Sequence, residues 1–190
     1  MTSPNDRVRD HEFVLVLSGI AVLDERVANA IYEAGCDDAT PCLRYGTLSL
    51  AFDREATSLR GAILSAIRDV MGAGIDASVR YVDACNLVSQ ADIARRIGRT
   101  RQQVGQYVSG KRGPGNFPGP ACSFADGHPL WMWCEVAEWL CGNSIIQEVD
   151  LEEARVVAGI NSALDLLHQR QHDPGLLDEV FQLVGATTVP

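Results

Sequence analysis

Two helix-start signals stand eleven residues apart in the run SQADIARRIGRTRQQVGQYV that begins at Ser89, and they leave the chain little choice there. Ser89 with Asp92, and Thr100 with Gln103, each put a side-chain oxygen at an N-cap and a hydrogen-bonding partner three residues on, the capping-box pattern. A helix started at Ser89 must therefore end before Thr100. Gly98 supplies the turn, where the backbone needs a left-handed conformation that glycine adopts freely. Ala94 lets the two helices approach, and Ile93, Ile97, Val104 and Val108 fall at spacings that close a small shared core. The expectation is a helix-turn-helix.

Charge sets this segment apart. Residues 85–116 hold Arg95, Arg96, Arg99, Arg101, Lys111 and Arg112 against Asp92 alone, while the remainder carries 10 basic and 24 acidic side chains, for a formal net charge of −9. A net negative protein repels phosphate at long range. A basic stripe on an acidic body instead confines attraction for nucleic acid to one face and suppresses attachment elsewhere.

Beyond Gly110 the residues GKRGPGNFPGP, then SFADGHPLWMW, then EVAEWLC predict a two-stranded wing, turning at Asp126-Gly127 and leading into a helix at about 134–141. Helix, turn, helix, wing, helix is the winged helix-turn-helix order. On the core IARRIGRTRQQVGQYV, the tetrad Phe117-Pro118-Gly119-Pro120 and the pattern Trp133, Glu135-Val136, Trp139-Leu140, residues 88–140 resemble the AlpA/excisionase-like and MerR-like DNA-binding domains. The resemblance implies that the tetrad opens the wing and that the tryptophan helix packs under it. The loop KRGPGN is longer than the short wing of many excisionase-like members.

Residue roles follow from docking geometry. A recognition helix, here 101–109, enters the major groove N-terminal end first, so Arg101, Gln102 and Gln106 are the candidates for reading base edges. Arg99, Thr100, Gln103 and Tyr107 are expected to hold phosphate. Arg95 or Arg96 is expected to do so too, with one of the two serving instead in a structural ion pair. Lys111 and Arg112, in the exposed loop 110–116, read as wing contacts to phosphate or the minor groove.

The flanking segments predict an α+β protein. In residues 1–84 the pattern runs strand (13–17), helix (24–34), strand (47–52) with one further strand optional, helix (58–73) and strand (78–82), the order of a ferredoxin-like βαββαβ domain. Its acidic turn Gly35-Cys36-Asp37-Asp38-Ala39-Thr40-Pro41 reads as a helix-ending loop whose Asp side chains bond their own backbone, the alternative being carboxylates for a cation or a partner's arginine. Residues 85–145 form the winged domain. Residues 146–190 give a long amphipathic helix (150–169) and a shorter one from Pro174, a helical hairpin offering a dimer or partner surface.

Several classes are disfavoured. No run of 18 apolar residues marks a membrane helix, and the first residues, MTSPNDRVRDHE, lack the apolar core of a secretory signal. Six cysteines without a C-x-x-C pair fit packing thiols in a reducing, cytoplasmic setting. No serine–histidine–carboxylate set, phosphate-cradling glycine loop or spaced metal tetrad appears, so neither an enzyme, a metal nor a cofactor is expected. The leading expectation is a sequence-specific double-stranded-DNA-binding regulator, a repressor acting as a homodimer. The alternatives are an antitoxin-like or phage-related module that neutralises a protein partner through its N- or C-terminal region and autoregulates its operon, and a small-molecule-sensing regulator.

Overall fold

The computed structural model describes residues 7–82, 86–122 and 127–185. The chain is mixed α+β and divides into two compact units, residues 1–83 with 159–190, and residues 84–158.

The first unit is organised by strand alternation. β1 (Arg9–Ser18), β2 (Ala39–Arg44), β3 (Thr47–Ala56) and β4 (Ser78–Val82) form one antiparallel sheet in the order β2-β3-β1-β4. Phe13 faces Phe52, Leu15 faces Leu50 and Leu17 faces Leu48 across the central pair, so every second residue of both strands is buried on one side. The two phenylalanine rings stack at 5.0 Å. The helices bury matching stripes: Val27 and Ile31 from α1 (Glu25–Glu33), and Ala62, Ile63, Ala66 and Val70 from α2 (Leu59–Gly72). Asp24 and Ser58 cap them, accepting from Val27 N–H at 2.8 Å and Gly61 N–H at 3.1 Å.

The strand that the pattern left optional is β2. It carries Pro41, which an edge strand tolerates because its outer side needs no ladder donor. A two-residue turn, Tyr45-Gly46, joins it to β3, and both residues have positive φ, 52° and 74°, as a type I′ hairpin requires.

The acidic turn corrects its expectation. Asp38 does not bond its own backbone; its carboxylate takes Arg54 Nε at 2.6 Å and Nη2 at 2.9 Å. The remaining guanidinium donors reach Asp69 (2.7 Å), Ser65 Oγ (3.1 Å) and the Gly35 carbonyl (2.8 Å), with Phe52 stacked on one side at 4.9 Å. Arg54 is buried, and all five of its N–H groups are satisfied, the condition under which a buried charge is tolerable. The cluster ties β3, the end of α1, the start of β2 and α2 together. Cys36 beside it is a packing thiol, pushed up to about 11 by burial.

The second unit wraps α3 (Gln90–Arg96), α4 (Arg101–Val108) and α5 (Trp133–Gly142) around Val88, Ile93, Ala94, Val104, Trp131, Val136 and Leu140. In the segment expected to form a wing, the described residues show one antiparallel bridge, and residues 123–126 on its turn side lie outside the described residues. A separate ladder joins β5 (Leu87–Val88), ahead of α3, to β6 (Trp131–Met132), ahead of α5, and Cys122 bridges Leu130 across the arm. Gly127 has φ +68° at the expected turn, while Asp126 lies outside the described residues.

Two helices complete the chain. α6 (Glu148–His172) buries Leu151, Ala154 and Val157 rather than the whole expected stripe, and the boundary between the two units falls inside it, after Ala158. α7 (Pro174–Leu183) starts on an Asp173 cap and buries no residue.

Asp38→Ala should destabilise the chain by about 3 kcal/mol, near the lower end for breaking a buried pair because Asp38 and Asp69 remain a quarter exposed. Chemical denaturation followed by circular dichroism measures it; a loss under about 0.5 kcal/mol, the range of an ordinary surface substitution, contradicts the role given to Arg54.

Candidate nucleic-acid interface

The two capping boxes are present with both reciprocal bonds. Asp92 N–H donates to Ser89 Oγ at 3.2 Å and Ser89 N–H to Asp92 Oδ2 at 3.0 Å. Gln103 N–H donates to Thr100 Oγ1 at 3.2 Å and Thr100 N–H to Gln103 Oε1 at 3.1 Å. Between the helices Gly98 has φ +62°, which lets Arg99 N–H turn back to the Ala94 carbonyl at 2.8 Å. Ile93, Ala94 and Val104 close the joint, with Ile97 and Val108 packed against them.

Burying one side of α4 presents the other. Val104 and Tyr107 point into the core, which leaves Arg101 and Gln102 exposed and Gln106 half-buried. Arg99 and Thr100 are exposed on the turn before the helix. Arg99, Arg101, Lys111 and Arg112 have no acidic partner among the described residues, an unusual grouping in so acidic a chain. Arg95 is the residue engaged in a structural ion pair, with Asp92 at 2.7 Å, and Arg96 lies over the Trp133 ring at 4.6 Å.

Two expected phosphate ligands also have partners within the unit. Tyr107 is only 7% exposed and packs its ring on Trp139 at 5.3 Å. Its spacing from Val104 already placed it on the core side. The Gln103 side chain is the acceptor of the second capping box, so it serves the helix start.

The loop carrying Lys111 and Arg112 is fastened from below. Trp139 Nε1–H donates to the Gly115 carbonyl at 2.9 Å, and its ring lies so close to Gly113 that a Cβ there would sit 3.1 Å away. Gly113 also has φ +85°, so both space and backbone favour glycine. Arg112 N–H closes back onto the Gln106 carbonyl at 3.1 Å. Phe117 sits edge-on to Trp139 (5.0 Å) and Trp131 (6.4 Å), and Trp131 Nε1–H donates to the Pro118 carbonyl at 3.0 Å. The tryptophans therefore hold both the basic loop and the start of the tetrad.

His128 is a member of this face that the sequence reading missed. It lines, with Arg101 and residues 89–91, a cleft of about 400 Å³ beside the start of α4. Its signal was weak, a lone histidine after a turn glycine. Among the described residues no group of three His, Cys, Asp or Glu side chains is placed to hold a metal ion. No family model, curated protein or solved structure matches the chain.

Hydrogen bonds from Ser89 hold the Asp92 carboxyl below its ordinary value. A depressed folded value stabilises above the unfolded one, so Asp92→Ala should cost about 1 kcal/mol at neutral pH, with the difference shrinking as pH falls below about 4. All three tryptophans lie in this unit, so their fluorescence reports its melting; a pH-independent difference contradicts the carboxylate's role. Trp139→Phe should release the loop and speed tryptic cleavage after Lys111 and Arg112 severalfold, whereas unchanged cleavage means the indole bond does not hold it.

Proposed function

We propose that this chain is a sequence-specific double-stranded-DNA-binding transcriptional regulator, with a winged helix-turn-helix fused to a ferredoxin-like domain. The observation that carries the reading is the set of exposed cations Arg99, Arg101, Lys111 and Arg112, which have no acidic partner among the described residues. The resemblance of residues 88–140 to AlpA/excisionase-like and MerR-like domains supports it. So does the β2-β3-β1-β4 order with βαββαβ connectivity, the ferredoxin-like arrangement, for the accompanying unit.

In this reading α4 enters the major groove by its N-terminal end. Arg101 bonds guanine O6 and N7, and Gln102 and Gln106 bond adenine N6 and N7. Arg99, the Thr100 hydroxyl and Arg96 hold phosphate, while Lys111 and Arg112 reach the flanking backbone or minor groove. Gln103 and Tyr107 position α4 from behind. The chain acts as a homodimer reading half-sites about one helical turn, ~34 Å, apart. Leu176, Val180, Leu183 and Val184 recur along one side of α7 and are exposed, which supports self-association. Cys36, Cys42, Cys122, Cys134 and Cys141 form no disulfide, in keeping with a reducing compartment such as the cytoplasm.

The same exposed side of α7 favours a second reading, an interaction module that covers a partner protein and represses its own operon. Co-purification of a stoichiometric partner separates the two.

Neutralising about six phosphates gives log affinity a slope against log salt near −5. Fluorescence titration of genomic duplex fragments at several salt concentrations measures it, and absent or salt-independent binding contradicts DNA recognition. Arg101→Ala with Gln102→Ala should erase sequence preference by about 1–3 kcal/mol per lost base contact. Lys111→Ala with Arg112→Ala should weaken all duplexes alike and flatten the slope by about 2. Identical behaviour of the two double variants contradicts this division of roles.

A further inference from the structure

A second recessed site lies in the first unit, on the open side of the sheet's edge strand. β4 pairs with β1 on one side only. On its other side the Asn161 amide takes the place of a strand: Val82 N–H donates to Oδ1 at 2.7 Å and Nδ2 donates to the Val82 carbonyl at 3.0 Å. These two bonds fix the C-terminal half of α6 along the edge. From there Leu164 and Leu167 of α6 and Ile67 and Met71 of α2 wall a cleft of about 360 Å³, to which Arg80 and His168 bring the ionisable groups and Ser18, Ser78 and Gln171 uncharged polar ones. The volume is at the small end of what ligand pockets occupy.

The charges in the cleft select among ligands. Arg80 is 28% exposed, and its acidic neighbour Asp165 is 3.5 Å away, makes one long contact and is itself 64% exposed. Most of the guanidinium fork has no acceptor among the described residues, so an entering carboxylate can take it bidentately while Asp165 turns to water. Partial desolvation, then Arg80 and His172, hold the His168 imidazole below its ordinary value, so at neutral pH it adds a neutral donor and acceptor. A cationic ligand would meet Arg80, and a wholly apolar one would desolvate the fork without replacing its hydrogen bonds. A single guanidinium matches one planar carboxylate, whereas a dianionic phosphate calls for a second cation.

We propose that this cleft binds a small amphipathic monocarboxylate, its carboxylate on Arg80 beside His168 and its apolar body between Ile67, Met71, Leu164 and Leu167. The site stands apart from the DNA reading and does not depend on it.

The experiment is a calorimetric and NMR titration of the full chain with 3-phenylpropionate, with 3-phenylpropylamine and 3-phenylpropanol as cationic and neutral comparators. The expected result is saturable one-to-one binding of the acid, at least tenfold weaker binding of both comparators, and shifts of the His168 imidazole resonances. Arg80→Gln should lower acid affinity at least tenfold, and Arg80→Lys should retain part of it; circular dichroism checks that each variant folds. No saturable binding, equal binding of acid and amine, or an unchanged affinity in folded Arg80→Gln overturns the proposal. The comparator series needs no variant, so the test stands even if Arg80→Gln fails to fold.

Discussion

The ring of Trp139 is the contact on which α4 and the basic loop after it both depend. On one edge it packs Tyr107 and so sets how α4 rotates about its axis; on another it supports Gly113; and its N–H holds the Gly115 carbonyl. Phe117 meets the same ring, so the loop returns to the body of the unit at a fixed point. One half-buried aromatic thus coordinates a helix and a loop that carry exposed cations. An exposed basic loop without such a support would lose, on each binding event, the conformational entropy of ordering itself.

The two arginine populations of the chain illustrate opposite uses of one side chain. Arg54 is enclosed, with every donor satisfied and two carboxylates beside it, and its work is to join four elements of the first unit. Arg99, Arg101 and Arg112 are exposed with no acidic partner among the described residues, although acidic residues outnumber basic ones overall. Charge left unpaired on a surface in a chain able to pair it points to a partner that supplies the counter-charge. In the proposed reading that partner is phosphate, and the acidic remainder would confine it to that side.

Local signals were readable from sequence, and tertiary partners were not. Both capping boxes, the Gly98 turn and the α2 stripe were legible because each depends on residues within one or two turns of one another. The β2 strand is only optional in the sequence pattern, because it carries Pro41 and its Tyr45-Gly46 turn lacks the usual Asn-Gly or Asp-Gly signature. Asp38 looked like a loop-capping residue because Arg54, its partner, lies 16 positions away in a different strand. The pairing of β5 with β6 spans more than 40 residues, beyond the reach of any local periodicity. Tyr107 stands three residues after Val104, a spacing that puts its ring on the core side.

The central claim is that one continuous patch, Arg99 to Gln106 with Lys111 and Arg112, meets duplex DNA. Amide chemical-shift mapping of the full chain on adding a short random-sequence duplex at low salt tests it most directly, since even non-specific phosphate binding marks the surface used. The account predicts that the large shifts fall on residues 99–106 and 110–113, with His128 at their margin and the four-stranded sheet silent. Shifts centred on the sheet, on α7 or nowhere would contradict it.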